Sequence, residues 1–516
     1  MAILHKNITV SSDIHNPKWL PDANNGDYAF KNEKGELESI DELLLPAALN
    51  FVDGSVAPPT TSTGDIYILS SGGSVNAGWG SVSLQDWVRY DGTAWNSLTP
   101  QKSTLCYDKT ADSLMSFDGS AWAAIGGGAS GGVLGITDSS GVYTYYSTIE
   151  LALAAASSGD VIEQFTNILV SGTSTINLID GVTWQMNGYE YKNNTSNDMV
   201  MFTIPTNTTV KFTFKNGTIV KTGGTLVDNT NNVIHGGNYT TSEIISESMT
   251  FEATNGRAYG GSASLIGGNF EGKGFESQGS SKNINVSVTG NTLITGADSR
   301  VYNSIFFSGG NYNYLQTGCR VYNSTFESAG SHGALLGSGD CEAHNCTFIS
   351  SAGSGIQITG TTSSAFAKMF NCTAISTASN GILGSGYAEI HNSTAISSSS
   401  RAMFLSDNVK VNNCVGRTSA SQGIYVNNAC IVKNTVSITT FNATNGHALV
   451  GVGTGFEFIA CHGEVVNASA YGLNTISTSN GKMAKNTFKG TTTFIGGGGT
   501  NSMSNTPDSY GNLIIG

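Results

Sequence analysis

The segments RVYNSIFF (300–307) and RVYNSTFE (320–327) differ at only two positions, and five further segments repeat their pattern along the chain. All seven copies share an asparagine, and successive copies of it lie 20 to 26 residues apart. These residues are Asn303, Asn323, Asn345, Asn371, Asn392, Asn413 and Asn434. A repeat of this length is typical of solenoid proteins, in which each unit packs only against its neighbours.

The residues around each asparagine alternate between apolar and polar. The position two before it is apolar in all seven copies, and the position three before it is charged in six. This is the period of a β-strand with one face inside and one outside. Another strand is expected directly after the asparagine, and a third follows ten or more residues after it, as in GILG (381–384). The sequence therefore predicts an all-β chain wound into a parallel β-helix with three strands per coil.

The asparagine is predicted to form a tight turn between two of these strands. Asparagine adopts the left-handed α conformation at lower cost than most residues with a side chain. Its side-chain amide can also bond to the asparagine of the next coil, as in stacked amide ladders. We therefore expect the seven asparagines to line up along one edge of the β-helix.

The rest of the chain divides by composition. YDGTAW (90–95) and FDGSAW (117–122) each place Asp-Gly between aromatic residues, which is a strong hairpin signal. The predicted organisation is an N-terminal segment (1–60), a small Trp-rich β domain (64–124), a Gly-rich linker (125–140), a β-helix shaft (141–495) and a C-terminal tail (496–516).

A short amphipathic helix is predicted where the shaft begins. In STIELALAAASSGDVI (147–162), Ser147 and Glu150 have the spacing of a capping box, and Gly159 is placed to end the helix. One helix ahead of hundreds of strand-like residues suggests a cap over the open end of the β-helix.

The cysteines follow the same repeat. Seven of the eight lie either four residues before the shared asparagine or one after it, at positions otherwise held mostly by small residues. We interpret them as buried, unpaired thiols, the alternative being a disulfide framework or a metal site.

Charge and hydropathy exclude several classes of partner. The chain has 24 basic and 37 acidic residues, and its net charge of −13 argues against binding nucleic acid or an anionic membrane. No apolar run approaches the roughly 20 residues of a membrane span, and the N-terminus lacks the apolar core of a secretory signal. We expect a soluble protein made in the cytoplasm, without membrane insertion, cofactor or metal ion.

An apolar stripe is predicted on the outside of the shaft. It comprises the residues twelve after each asparagine, namely Leu315, Leu335, Gln357, Leu383, Phe404 and Tyr425. An exposed stripe along several coils normally marks an interface, most simply that of a parallel homotrimer. Long turns that cover the stripe are the alternative.

Four carboxylates are candidates for catalysis. Asp298 and Asp340 share a position two coils apart, so they are either a catalytic pair or turn residues. Glu271 and Glu276 lie before residue 300, where the repeat cannot be phased. Glu342, in contrast, alternates with basic residues in one row, which favours a ladder of salt bridges.

Three segments resemble proteins of bacteriophage tails. TIELALAAASSGDVI (148–162) with LIDGVTWQMNGYEY (178–191) resembles the opening of pectate-lyase-like right-handed β-helices in tailspikes. SDIHNPKWLPDANNGDYAF (12–30) is similar to the His-x-Pro-Lys segment that opens many phage fibre proteins. The stretch from GDIYIL to FDGSAW (64–122) is similar to a small domain of phage tail proteins. The resemblance implies a virion protein whose N-terminus binds other virion proteins and whose shaft is a trimeric right-handed β-helix.

Three functions are consistent with these features. The leading hypothesis is a phage fibre or tailspike-like protein of the virion that adheres to host surface polysaccharide. The alternatives are a polysaccharide depolymerase that uses a pair of carboxylates, and a head or tail decoration protein without a ligand.

Overall fold

The structure, a computed structural model, describes residues 29–31, 37–39, 50–60, 62, 66–70, 74–100, 104–108, 113–117, 119–125, 133–137, 143–206, 208–224, 230–237, 241–296, 298–310, 313–316, 318–337, 339–363, 365–441, 446–466, 471–476, 481–489 and 513–515. This part of the chain is almost entirely β, with one α-helix. It divides into two units, the first formed by Met1–Val133 with Tyr145–Ser147 and the second by Leu134–Thr144 with Thr148–Gly516.

The first unit contains three small sheets and a 3₁₀ helix, Ala77–Trp79. The sheets comprise Ala29–Lys31 and Leu37–Ser39; Asn50–Asp53, Ile66–Ser70, Trp87–Tyr90 and Trp95–Leu98; and Leu105–Asp108, Ser113–Phe117 and Trp122–Ile125. Both hairpins predicted from the Asp-Gly motifs are confirmed, and Gly92 and Gly119 adopt the positive φ (99° and 103°) that their turns require. Trp87 and Trp122 stack with ring centroids 5.7 Å apart, so aromatic rings hold two of the sheets together.

Two segment boundaries differ from the sequence-based expectation. Asn50–Asp53, within the segment assigned to 1–60, pairs in parallel with Ile66–Ser70, so the small β unit begins earlier. Leu513–Ile515, within the tail assigned to 496–516, pairs with Thr487–Lys489 and adds a strand to the shaft. In both cases the segment between the paired strands lacks the repeat, so the repeat pattern does not predict the pairing. Most of the expected attachment segment lies outside the described residues.

The second unit starts with the predicted helix. Leu134–Thr137 pairs antiparallel with Val161–Gln164, Tyr143–Tyr146 follows, and the α-helix spans Ile149–Ala155. Its cap is Thr148 rather than Ser147, because the Thr148 hydroxyl accepts the Leu151 N–H at 3.3 Å. The helix buries Ile149 and Leu153 against the shaft.

The shaft is the predicted parallel β-helix, with three sheets that we name A, B and C in the order in which the chain visits them. Sheet A comprises Val161–Gln164, Thr183–Gln185, Lys282–Ile284, Arg300–Tyr302, Arg320–Tyr322, Glu342–His344, Ala367–Phe370, Ala388–His391, Lys410–Asn412, Ile431–Lys433, Glu457–Ile459 and Lys482–Ala484. Sheet B comprises Ile168–Val170, Glu190–Asn193, Ile305–Ser308, Thr325–Ser328, Thr347–Ser350, Thr373–Ser376, Thr394–Ser397, Val415–Thr418, Val436–Thr439, His462–Val465, Thr487–Lys489 and Leu513–Ile515. Sheet C comprises Ile176–Asn177, Phe202–Thr203, Asn232–His235, Asn313–Leu315, Ala334–Leu336, Ile356–Gly360, Ile382–Gly386, Met403–Ser406, Ile424–Asn427, Leu449–Val452 and Leu473–Ile476.

Four long strands continue through the corners between sheets. Lys211–Lys221 runs through sheets A and B, and Ser287–Ile294 runs through B and C. Glu243–Gly261 and Ser264–Ser277 each contribute to all three sheets. These strands lie in the region where the repeat could not be phased.

The seven asparagines lie at the corner between sheets A and B. All seven asparagines have positive φ between 49° and 55°. The side-chain amide of Asn323 donates to Asn303 at 3.3 Å, and that of Asn345 donates to Asn323 at 3.2 Å. Neighbouring strands pair in register, as Val301 with Val321, so equivalent residues of successive coils lie above one another.

The same corner continues towards the N-terminus, where the repeat is not recognisable from the sequence. Asn187, Asn216, Ser248 and Asn285 have φ of 54° to 56° at equivalent positions. Asn285 lies only 18 residues before Asn303, so the coil between them is shorter than those that follow. The irregular spacing of these coils explains why the repeat is hard to recognise there.

The interior consists of stacked, like side chains. Phe306, Phe326 and Phe348 stack with centroids 4.9 and 5.5 Å apart. The seven cysteines of the repeat are buried, as predicted, and the sulfur atoms of Cys319 and Cys341 lie 3.4 Å apart on adjacent coils.

One residue of the predicted outer stripe is misplaced. Leu315 is fully buried, and Tyr314 takes the outward position in line with Leu335. The corner between Ser308 and Asn313 is one residue shorter than the next one, so counting from the asparagine overshoots by one. The other members, Leu335, Gln357, Leu383, Phe404 and Tyr425, face outward and are half-buried.

Candidate functional site

The corner between sheets B and C changes length along the shaft. In the regular coils the outward row of sheet B and the outward row of sheet C are separated by eight residues, as from Glu327 to Leu335. Glu271 and Glu276, which occupy the same two rows, are only five residues apart. Thr289 and Leu293 are four apart. Because two successive corners are cut short, the surface of the shaft recedes at this level.

The recess forms an open groove, which we call the corner groove. It has a volume of about 360 Å³ and is lined by Gly272, Lys273, Gly290, Asn291, Gly309 and Gly310. These residues come from three successive coils, which lie about 4.8 Å apart. The groove therefore follows the shaft axis across several coils.

Glycines form much of the groove wall, for two different reasons. At Gly290 φ is 146°, and a Cβ there would lie 2.2 Å from the carbonyl oxygen of Gly272. Only glycine allows this close approach of two coils. At Gly309 and Gly310 a Cβ would meet no atom within 4 Å. These two glycines keep the groove open rather than allowing close packing.

A smaller pocket of about 130 Å³ adjoins the corner groove and shares Lys273 and Asn291 with it. We call it the side pocket. Its wall includes Arg257 and Glu276, whose side chains form a close ion pair and are only 18% and 9% exposed. The second carboxylate oxygen of Glu276 accepts a hydrogen bond from the Gln278 amide. Both oxygens of Glu276 are thus engaged, and the carboxylate holds Arg257 in place.

His235 lies in the same outward row of sheet C as Glu276, with Gly260 between them. Burial lowers the pKa of His235, while a backbone hydrogen bond involving Gly260 and the negative charge of Glu276 act in the opposite direction. Glycine at position 260 leaves no side chain between the imidazole and the carboxylate.

Aromatic and apolar side chains stand on both sides of the corner groove. Phe307, 37% exposed, precedes Gly309 on sheet B, and Ile305 beside it is 57% exposed. Tyr314 follows the corner on sheet C and is half-buried. A polar groove with apolar rims is suited to a ligand that has both hydroxyl groups and apolar faces.

The four candidate carboxylates do not converge. Asp298 and Asp340 lie at the corner between sheets C and A, with φ of 73° and 37°, and both are exposed. The Asp298 carboxylate lies 3.2 Å from the Arg320 guanidinium. Glu271 projects from sheet B, where the Asn269 amide donates to its carboxylate at 2.5 Å. Glu276 alone of the four lines the side pocket.

Residues of the site that the sequence did not single out are Arg257, Lys273 and Asn291. Nothing in their local sequence marks them as ligand-binding residues. The available signal was the reduced coil length, since 18 residues separate Asn285 from Asn303 while later coils have at least 20. A coil with fewer residues must have a shorter strand or corner, and here the shorter part is the corner between sheets B and C.

The outer face of sheet A is occupied by its own ladders. The Glu342 carboxylate lies 3.5 Å from Arg320 and 3.3 Å from Lys368, which confirms the predicted salt-bridge ladder. Beside it, a row of rings stacks face to face, and it comprises Tyr302, Tyr322, His344, Phe370 and His391. The ring faces are covered by one another, so this row is not an open stacking platform for a ligand.

No group of three or more His, Cys, Asp or Glu side chains in the described ranges is arranged to hold a metal ion. Across those same ranges, no helix is long and apolar enough to cross a membrane.

No protein-family model matches the sequence, and no characterised protein matches it in a sequence comparison. Similar solved structures include the A-module of a mannuronan C-5 epimerase from Azotobacter vinelandii, with 12% identity and a TM-score of 0.34 over 66% of this chain and 93% of that chain. The catalytic unit of an α-1,3-glucanase from Streptomyces thermodiastaticus has 12% identity and a TM-score of 0.28 over 68% and 65%. Tailspike protein 3 of bacteriophage CBA120 has 11% identity and a TM-score of 0.26 over 95% and 83%. At these identities the similarity concerns the fold alone.

Proposed function

We propose that this protein is a fibre or tailspike-like component of a bacteriophage virion that binds host surface polysaccharide in the corner groove. The observation that carries the proposal is the groove itself, an open, axial trough whose wall combines backbone, an amide and a cation. Because its lining residues come from three successive coils, the groove is suited to an extended polymer. The resemblance of the N-terminal segments to phage fibre proteins supports the virion assignment.

The chemistry of the groove favours binding over cleavage. Hydrolysis of a glycosidic bond requires two carboxyl groups about 5–9.5 Å apart, one of them able to donate a proton. Glu276 accepts bonds from Arg257 and Gln278 and is largely covered. A carboxylate bonded in this way has no free oxygen for an attacking water. An adhesin needs only the donors and apolar rims that the groove presents.

We also propose that the shaft associates as a parallel homotrimer through the outward row of sheet C. Leu335, Gln357, Leu383, Phe404 and Tyr425 are aligned on successive coils and half-buried, and four of these five residues are apolar or aromatic. The Arg401 guanidinium covers the rings of Tyr425 and Phe404 at 4.4 and 5.0 Å. An aligned apolar row of this kind is typical of a surface that packs against another chain.

The binding proposal is tested by filling the groove. In the variant Gly310→Gln the new side chain starts in open space, so we expect the fold to be unchanged and binding to host cells or their purified polysaccharide to fall at least about tenfold. Ala378→Gln, at an exposed corner on a distant coil, is the matched control and should bind normally. Cell binding is measured with fluorescently labelled protein.

The same preparations separate the alternatives. Release of new reducing ends from the polysaccharide, abolished by Glu276→Gln, would replace adhesion by depolymerase activity. Normal binding by the Gly310→Gln variant would exclude the corner groove as the binding site. Failure of the unmodified protein to bind any cell would favour a decoration protein.

A further inference from the structure

We infer that the side pocket binds an anionic substituent of the polysaccharide, a carboxylate or sulfate group, with Lys273 and Arg257 as its ligands. This inference rests on the proposed function of the corner groove, which it deepens by naming the class of sugar.

The first observation is the state of the pocket's one carboxylate. The Glu276 side chain is 9% exposed, and both of its carboxylate oxygens are engaged, by Arg257 and Gln278. Its charge is therefore balanced within the wall and does not repel an anion in the pocket. At the same time the ion pair holds the Arg257 side chain in the wall of the side pocket.

The second observation is the position of Lys273. It is exposed and lines both the corner groove and the side pocket. No carboxylate of the residues described in the structure lies within 4 Å of its ammonium group. Elsewhere on the shaft, lysines commonly pair with a glutamate of the adjacent coil, as Lys215 does with Glu247 at 3.0 Å and Lys410 with Glu389 at 3.1 Å.

The nearby carboxylates lie on the other side of the corner. Glu271 precedes Lys273 by two residues, and Glu252 is the residue that pairs with Glu271 on the adjacent coil. Both project from sheet B, and Glu271 is bonded to the Asn269 amide. The polar groups that line the side pocket itself are the Lys273 ammonium group, the Arg257–Glu276 ion pair, the Asn291 amide and the Thr292 hydroxyl. This set matches an anion of three or four atoms better than a neutral hydroxyl pair.

The inference is tested with matched polymers. The probes are polygalacturonate and its carboxyl-reduced form, and dextran sulfate and unmodified dextran. We expect at least one acidic polymer to bind about tenfold more tightly than its neutral partner, because a charge-assisted hydrogen bond is stronger than one between neutral groups. Lys273→Gln should remove this preference, Lys273→Arg should retain it, and added salt should weaken it.

A second variant tests the side pocket without changing the exposed Lys273. Arg257→Met with Glu276→Met removes both members of the buried pair, leaves no unpaired buried charge, and should also abolish the preference. Tighter binding of polygalacturonate than of its reduced form identifies a carboxylate as the anion, and tighter binding of dextran sulfate than of dextran identifies a sulfate.

Failure of this inference differs from failure of the proposed function. Equal binding of acidic and neutral polymers, both weakened by Gly310→Gln, would overturn the anion site but leave the groove as a polysaccharide site. Binding of acidic polymers that is unaffected by Lys273→Gln, or no binding of either acidic polymer, would also overturn it. If Gly310→Gln did not change cell binding, the corner groove would not be the polysaccharide-binding site.

Discussion

The side-chain amide of Asn345 donates a hydrogen bond across 3.2 Å to the side-chain oxygen of Asn323, the equivalent residue of the preceding coil. Both residues are in the left-handed region, with φ of 55° and 49°. One side chain therefore does two things: it makes the turn from sheet A to sheet B at low cost, and it links successive coils outside the backbone ladder. Repeated corners of this kind hold the sheets in register.

The first prediction concerns this corner. Asn345→Ala should lower the free energy of unfolding by about 1–2 kcal/mol, because alanine pays for the left-handed conformation and the amide bonds are lost. Asn345→Gly should cost less, since glycine adopts this conformation freely. Urea unfolding followed by circular dichroism measures the difference. The chain tolerates Ala460 at a φ of 53°, so the alanine variant is expected to fold. Equal stability of the alanine variant and the unmodified protein would contradict the prediction.

The second prediction concerns Glu342 and pH. Burial by itself would raise the pKa of Glu342, but hydrogen bonds from Lys368 and His344 and the charges of Lys368 and Arg320 outweigh it and lower the pKa below the ordinary 4.5. A lowered pKa means that the carboxylate stabilises the fold above pH 4.5 and loses this contribution as the pH falls through the folded-state pKa. Glu342→Gln should therefore cost about 0.5–1 kcal/mol at pH 7 and less at pH 3.

Thermal unfolding of both proteins at the two pH values provides the measurement. Asp340→Asn, which changes an exposed turn residue, serves as control and should show a smaller effect at pH 7. A pH-independent difference for Glu342→Gln would mean that packing, not charge, is responsible.

The third prediction concerns the thiols. Burial is the main reason why the pKa values of Cys414, Cys430 and Cys461 rise to about 11. Since the thiolate is the reactive form, these cysteines should resist a thiol reagent at pH 8 in the native protein. All eight should react in denaturant, as counted by mass spectrometry. Prompt native labelling of most of them would show that the coils open readily.

The fourth prediction concerns self-association. Leu383→Asp combined with Phe404→Asp places two charges in the outward row of sheet C, where burial against another chain would be costly. We expect trimers of the unmodified protein and monomers of this variant by light scattering. Glu389→Gln with Lys410→Gln, on the outer face of sheet A, should leave the trimer intact. A trimer that survives the aspartates would place the interface elsewhere.

Much of the fold follows from the repeat in the sequence. The period-two alternation and the asparagine spacing correctly predicted three strands per coil, the left-handed corner at Asn303 to Asn434, and buried cysteines. They also identified the alternating charges around Glu342 as salt bridges. These features depend on residues that are adjacent in the chain or exactly one coil apart, so a regular spacing is enough to reveal them.

Leu315 shows why counting residues from the shared asparagine fails to predict some side-chain orientations. A corner that is shorter by one residue reverses the direction of every side chain counted across it, because successive strand residues point to opposite faces. The sequence contains the shortened corner, but only the pairing of Tyr314 with Leu335 shows on which side of the strand the missing residue falls.

The amino-acid sequence by itself determined the winding of the chain, since stacked, alternating strands are the way for each coil to bury its inner face. Only the tertiary structure decided where that winding leaves room for a ligand. Arg257, Lys273 and Asn291 are distributed over three coils of unequal length, and they meet at one recess because two successive corners are short. Their proximity depends on the sum of several corner lengths, and no local pattern of residues records that sum.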